Sequence, residues 1–334
     1  MNNKLKLLLL NLLVSLVIFS LIITLFVEQL SVDSLTQALS AISSISPRSY
    51  TLYGGALFLF FAFRSWRYAL LLTLQGKQKH ADNKRLLFYA TVARGAMVDL
   101  MPFRTGEAGF IALLKSHCKL DVGSGTSVVI VASVLDFITL ACISLVLFLS
   151  IIGGINSLIM IAVGVVAFVF LLKKSAFKKA HYALSQYAKK TEKKHTQRLL
   201  GFYTQLLNTM VYCLEKHAFY QLLALSFSHR FCRLLSLFIL FNAIGFSFDS
   251  NHELFNYWQS LSIIVASETT GALPLPNALG FGLWESGGVA YSALISSLTG
   301  PVFVLLLSVH VCQKVIGTSL SIVALVLINL TAKK

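Results

Sequence analysis

Long apolar runs alternate with short polar breaks from one end of the chain to the other. Uninterrupted runs at about 7–27, 50–75, 126–150, 152–172, 218–248 and 302–330 predict full membrane spans. Each meets the roughly 20 residues that a helix needs to cross hydrocarbon. Two further apolar stretches are broken: residues 86–118 by Pro102 and Gly106, and residues 254–298 by Pro274, Pro276, Gly280 and Gly282. Proline removes a backbone donor and glycine releases a helix cheaply, so neither stretch runs as one rod. The economical reading of each is a re-entrant hairpin of two half-helices. Residues 199–214 are apolar yet interrupted by polar positions, as in a helix lying on a membrane surface. The ten-residue alternating segments of a membrane β-barrel are absent. The predicted fold is all-α and polytopic, with about six full spans plus two re-entrant helical hairpins.

Composition agrees. Of 334 residues, 56% are hydrophobic, above the roughly 45–50% of soluble domains, and mean hydropathy is +0.77. No segment is long and polar enough for a separate soluble domain, so residues 1–334 read as one integral membrane domain. Within it, about 50–150 and about 218–330 form two repeats, and 173–217 is a basic loop with its surface helix.

The net charge of +15 sets the orientation. Lys173, Lys174, Lys178, Lys179, Lys189, Lys190, Lys193, Lys194 and Arg198 crowd one loop, opposed there by Glu192 alone. Such clusters mark a cytoplasmic loop against anionic lipid headgroups, which is favoured over nucleic-acid binding. The other basic segments, at Lys4 and Lys6, at 76–85, at Lys115 and Lys119, and at Lys333 and Lys334, fall on the same side. Both termini are therefore expected in the cytoplasm, in a plasma (inner) membrane. The run at 7–27 lacks a small-residue cleavage site and reads as an uncleaved first helix. Cys118, Cys142, Cys213, Cys232 and Cys312 show no metal spacing and read as packing residues, so no metal or cofactor is expected.

The chemistry lies in charges inside apolar sequence. Arg64 and Arg67 sit in FLFFAFRSWRYALLL, and Arg230 and Arg233 in LLALSFSHRFCRLLSLFIL. One charge at the centre of a membrane helix costs about 2.5–3.5 kcal/mol on insertion scales, so four cost roughly 10 kcal/mol. The expected partners are Glu107, Asp136, Glu268 and Glu285, with pairs unassigned. Arg94, Asp99, Arg104, His310 and Lys314 are further ionisable groups at depth, and His310 and Lys314 share a helix face. Glu107 and Glu285 have two readings. Each caps a helix start, with Thr105 and Asn277 as nearby caps, or each neutralises the intramembrane arginines or binds a cationic headgroup. The order Arg-x-x-Arg, break, glutamate occurs twice: Arg64, Arg67, Pro102, Gly106, Glu107, then Arg230, Arg233, Pro276, Gly282, Glu285. With opposite entry sides, that order predicts an inverted repeat of the kind secondary transporters use. Chance likeness between two Gly/Pro-rich segments is the competing account.

VDLMPFRTGEAGFIALLK resembles the Asn-x-x-x-Pro-x-Arg-x-Gly-Glu element of the lysylphosphatidylglycerol synthase transmembrane family. LPLPNALGFGLWESGGVAYSAL is similar to that family's second Pro-Gly-x-Gly-x-x-Glu element. Pro102, Arg104, Gly106 and Glu107 match the first; Gly280, Gly282 and Glu285 match the second; Asp136 matches an acid in the following span. The resemblance extends over roughly residues 5–330. It implies a flippase-like fold, such as the membrane half of the multiple peptide resistance factor, without the soluble aminoacyl-transferase domain and hence without synthase activity. Asp99 near the family's Asn, Gly109-Phe110 in place of a basic residue, and Ala132-Ser133 in place of Glu-Arg depart from the pattern. These departures keep lysyl-phosphatidylglycerol from being the implied cargo.

The expected function is translocation of an anionic phospholipid or polyprenyl-phosphate lipid, favoured over catalysis. Arg64, Arg67, Asp99, Arg104, Glu107, Asp136, Arg230, Arg233, Glu268 and Glu285 would line the path. The partners are the lipid itself and anionic headgroups at the basic loop, with room for an oligomer. A membrane-embedded glycosyltransferase on a lipid-linked sugar, or an accessory subunit of an envelope lipid pathway, is the alternative.

Overall fold

A computed structural model of the chain describes residues 32–100, 106–152, 178–179, 181–186, 194–214, 216–248, 256–273, 282–295 and 299–332. These residues are helical and contain no strand. The elements are α1 (Val32–Ser43), α2 (Pro47–Leu74), a single turn at Gln78–Ala81, α3 (Lys84–Leu100), α4 (Gly106–Cys118) and α5 (Val122–Ile152). Then come α6 (Lys194–Cys213), α7 (Lys216–Phe248), α8 (Tyr257–Gly271), α9 (Leu283–Ile295) and α10 (Thr299–Ala332). Four segments are long and apolar enough to cross a membrane: Pro47–Leu74, Val122–Leu147, Ala218–Phe246 and Pro301–Thr331. They coincide with four of the expected spans. The expected span at 7–27 and nearly all of that at 152–172 lie outside the described residues, as do Pro102, Arg104, Pro274, Pro276 and Gly280.

Both broken stretches are pairs of short helices. α3 and α4 have 17 and 13 residues, α8 and α9 have 15 and 13. At 1.5 Å per residue none reaches the roughly 30 Å of hydrocarbon. One element was not foreseen: α1 occupies part of what reads in sequence as a loop at 28–49. Its apolar positions Leu35, Leu39 and Ile42 recur at helical spacing, but over too short a window to stand out from a polar segment. The surface helix begins at Lys194, earlier than the expected 199, so the last basic residues of the loop are helical.

Exposure is inverted relative to a water-soluble protein. Arg67 is 0% exposed beside Trp66 at 63%, and His229 is 1% exposed near Phe231 at 64%. Large apolar side chains face outward while charged ones face in, as hydrocarbon requires.

The chain folds into two compact units. The first comprises residues 1–60, 92–109 and 231–327. Within it, Ser46 caps α2 through the Ser49 N–H at 3.1 Å and Pro47 takes the first helical position, where its missing N–H costs nothing. Asn256 and Gln259 form a reciprocal capping box at the start of α8. α8 and α9 pack backbone to backbone: a Cβ at Gly288 would run into Ser267 and Leu306, and one at Gly287 into Thr270. Small residues are how membrane helices approach closely. A Cβ at Gly106 would collide with the Met97 backbone carbonyl, so α4 starts hard against α3.

The second unit comprises residues 61–91, 110–230 and 328–334. Here α5 packs on α6. Asp121 caps α5, accepting from the Ser124 N–H at 2.8 Å and its hydroxyl at 2.7 Å, with Lys77 Nζ at 3.1 Å. The imidazole of His80 donates to the Cys118 carbonyl at 2.7 Å. Gln75 reaches Thr209 on α6 at 3.0 Å.

Gly106→Ala is expected to lower stability by about 1–3 kcal/mol through overpacking against backbone that cannot yield. Gly54→Ala, with nothing within 4 Å of the added carbon, should be neutral or gain up to about 1 kcal/mol in helix propensity. Thermal unfolding in detergent compares the two. A second expectation concerns Asp121. Burial opposes its charge, but the Ser124 N–H and hydroxyl and then Lys77 outweigh that and hold its pKa down from 3.8 to about 2. A depressed carboxylate contributes stability that is complete above its ordinary value and is lost as pH falls toward about 2. Asp121→Ala should therefore flatten the acid end of the stability–pH curve, besides costing about 1 kcal/mol as a lost cap at neutral pH.

Candidate functional site

In the second unit, cationic side chains gather on one carboxylate. Asp136 is the only charged residue in the 31-residue α5. Arg67 of α2 grips it bidentately, Nη1 to Oδ1 at 2.5 Å and Nη2 to Oδ2 at 3.1 Å, and donates also to the Ser226 hydroxyl at 3.0 Å. Arg64, one turn earlier, lies 3.5 Å from Oδ2. From α7, Arg230 donates to the Asp136 carbonyl at 3.3 Å. His229 donates from Nδ1 to the Ser226 carbonyl at 3.1 Å, with the same nitrogen 3.6 Å from Asp136 Oδ1. Three guanidiniums and one carboxylate thus form the charged core of this cluster. Arg67 is wholly enclosed, whereas Arg64 and Asp136 retain 15% and 13% exposure. The Nε of Arg67 is buried with no acceptor among the described residues.

The first unit holds a second cluster. Glu268 of α8 accepts on one oxygen from Arg233 at 3.3 Å and from the Trp284 indole N–H at 3.1 Å. Arg233 also lies over the Phe60 ring, 5.8 Å from its centroid. Trp284 in turn packs on the His310 ring with centroids 5.1 Å apart. His310 Nδ1 meets Glu285 Oε1 at 2.5 Å, and Glu285 Oε2 accepts the Gly282 N–H at 2.7 Å. In the same unit Arg94 of α3 forks onto Glu107 in the first turn of α4, Nε to Oε2 at 2.9 Å and Nη2 to Oε1.

The pairing corrects one expectation. Of the four acids expected opposite the arginines of the Arg-x-x-Arg pairs, Asp136 and Glu268 take that role. Glu107 instead takes Arg94, and Glu285 takes His310. One oxygen of Glu285 caps α9, as the first reading expects, while the other meets the His310 imidazole rather than an arginine. Asp99 lies at the end of α3 and its side chain is outside the described residues, like all of Arg104, Thr105 and Asn277. Ser226, His229 and Trp284 went unselected in the sequence. For the first two a signal existed: Ser226, His229, Arg230 and Arg233 recur at 3–4 spacing, one face of α7.

A polytopic helical scaffold with charges buried between spans fits many membrane families. Residues 12–280 match the family described as lysylphosphatidylglycerol synthase TM region. The chain belongs to that family. Membership in the lysylphosphatidylglycerol synthase TM region family, with four span-length apolar helices, makes this an integral membrane protein of lipid metabolism or transport. The match takes in Arg64, Arg67, Glu107, Asp136, Arg230, Arg233 and Glu268 and stops before Gly282 and Glu285, short of the extent that the motifs implied. No curated protein and no solved structure gave a significant match.

Asp136→Asn is expected to destabilise the protein by about 3–5 kcal/mol, the cost of breaking a buried pair and stranding its cation. Replacing Arg67 and Asp136 together by leucine should recover part of that loss, since the enclosed charge goes too. Denaturant or thermal unfolding of the single and double variants in detergent checks the pair.

Proposed function

We propose that the protein translocates a phosphate-bearing anionic lipid, a phospholipid or a polyprenyl phosphate, across the bilayer. The observation that carries this reading is the convergence of Arg64, Arg67 and Arg230 on Asp136 inside apolar helices. Guanidinium offers planar, paired donors that suit phosphate oxygens. Arg67 is the fixed member, locked by Asp136 and Ser226. Arg64, partly exposed, is the member that meets an arriving headgroup.

The two pairs of short helices support the same reading. Each is an element shorter than the membrane, and as re-entrant hairpins of an inverted repeat they would put helix ends at membrane depth, where free backbone groups call for a wet cavity. The basic loop at 173–198 would hold the cytoplasmic face, with both termini, against the anionic lipids of a plasma (inner) membrane.

The test is the purified full chain in phosphatidylcholine liposomes carrying a trace of fluorescent phosphatidylglycerol, read by quenching from outside. The protein is expected to speed lipid exchange over empty vesicles. Arg64→Gln and Arg230→Gln are each expected to slow it about tenfold or more, matching loss of a charge-assisted hydrogen bond of about 1.5–3 kcal/mol. Exchange no faster than in empty vesicles, or unchanged in both variants, overturns the reading. Sugar transfer to a lipid acceptor in detergent would replace it with the glycosyltransferase alternative.

A further inference from the structure

The anion cluster leaves unused a second buried arrangement of different chemistry. Glu285 and His310 are 1% and 4% exposed, and their facing atoms are 2.5 Å apart. An imidazole nitrogen and a carboxylate oxygen approach that closely only with a proton between them. The carboxylate's other oxygen accepts a backbone N–H, which can only donate. It also sits in the first turn of α9, where the helix dipole favours negative charge. Glu285 is therefore held as a carboxylate, with Nδ1–H of His310 donating to it. The remaining variable is Nε2 of His310. Without a proton there, the pair carries one negative charge; with one, it is a neutral ion pair. Imidazole is also the side chain whose ordinary titration lies between about pH 5 and 8.

We infer that the Glu285–His310 pair is a proton-binding site, and that the proton it takes up drives the lipid movement proposed above; this second half rests on that reading. The surroundings fit a site that binds one proton and releases it. From α8, Glu268 is linked to the imidazole through Trp284, whose ring lies on His310 and whose N–H is bonded to that carboxylate. From α7, Arg233 is bonded to Glu268 and offsets it. On α10 itself, Lys314 lies one turn beyond His310. The balance step is simple: a proton leaves water, the lone pair of Nε2 forms the new N–H bond, and no other bond breaks. Its mechanical consequence is also local. The bond ties α9 to α10, and α9 is the second helix of a broken pair that begins at Gly282. A proton on the imidazole turns a neutral-donor bond into an ion pair and fastens α9; its departure loosens α9.

The experiment has two readouts on the full chain. In detergent, proton uptake between about pH 8 and 5 is counted with an indicator dye for wild type, His310→Gln and Glu285→Gln. In the liposomes above, fluorescent phosphatidylglycerol exchange is measured with and without a pH gradient, with a trapped dye following internal pH. Wild type is expected to take up one proton more than His310→Gln, and to show exchange that accelerates with the gradient while the gradient dissipates. His310→Gln should keep basal exchange and lose the acceleration. Equal proton uptake by wild type and both variants, each with a wild-type unfolding temperature, overturns the site. A proton difference combined with gradient-independent exchange upholds the site and overturns the coupling. A proton difference with no exchange in wild type upholds the site and removes both the coupling and the translocase reading. If His310→Gln unfolds, the comparison passes to Glu285→Gln, in which loss of the anion should lower proton uptake at the same step.

Discussion

A guanidinium placed among apolar helices must meet an anion, and that requirement organises the second unit. α5 offers one charged residue in its length, Asp136, and Arg67 takes both of its oxygens. The pairing fixes how α5 is rotated. With Asp136 turned inward, Phe137 and Val134 are turned out, at 60% and 40% exposure. The same logic orients α2, where Arg67 is enclosed and Trp66 is outward. In a soluble protein the apolar stripe would set these rotations. Here every face of the helix is apolar, so a few polar contacts decide which one points in.

The two broken elements follow a common plan with one difference in chemistry. Each ends in a short helix that opens with a glutamate in its first turn, Glu107 in α4 and Glu285 in α9. Each glutamate faces a basic side chain from another helix, Arg94 in one case and His310 in the other. Close approach of backbone accompanies both, at Gly106 against Met97 and at Gly287 and Gly288 against α8. Arginine stays charged under any physiological condition, whereas histidine does not. The first element is thus held by a guanidinium on a carboxylate, and the second by an imidazole on a carboxylate.

Much of this was legible from residue order alone. The spans follow from hydropathy, because a run of apolar residues that long has few other uses. The breaks at Gly106 and Gly282 follow from residues that interrupt helices. The buried arginines announce themselves by their cost. Their partners do not, because pairing across helices depends on rotation and register, which a hydropathy pattern with no polar face leaves open. That is why Glu107 was grouped with the Arg-x-x-Arg pairs when Arg94, thirteen residues before it, is its partner. Trp284 was invisible for a different reason: its indole N–H acquires meaning only once Glu268 is known to face it. α1 escaped because a 12-residue amphipathic helix between spans looks like any polar connection.

Stability alone does not account for the arginine cluster. A buried ion pair against well-packed apolar residues of the same volume is often neutral or worse, because desolvation offsets the attraction. Arg67 with Asp136 approaches that break-even. Arg64 approaches the same carboxylate and Arg230 the Asp136 main-chain carbonyl, and each further guanidinium brings its own desolvation cost. In the translocase proposal, an anion that comes and goes accounts for a convergence of guanidiniums on Asp136 that packing alone does not require. On that proposal, the apolar surroundings favour an anion that arrives with a hydrocarbon tail or is drawn in from the headgroup layer.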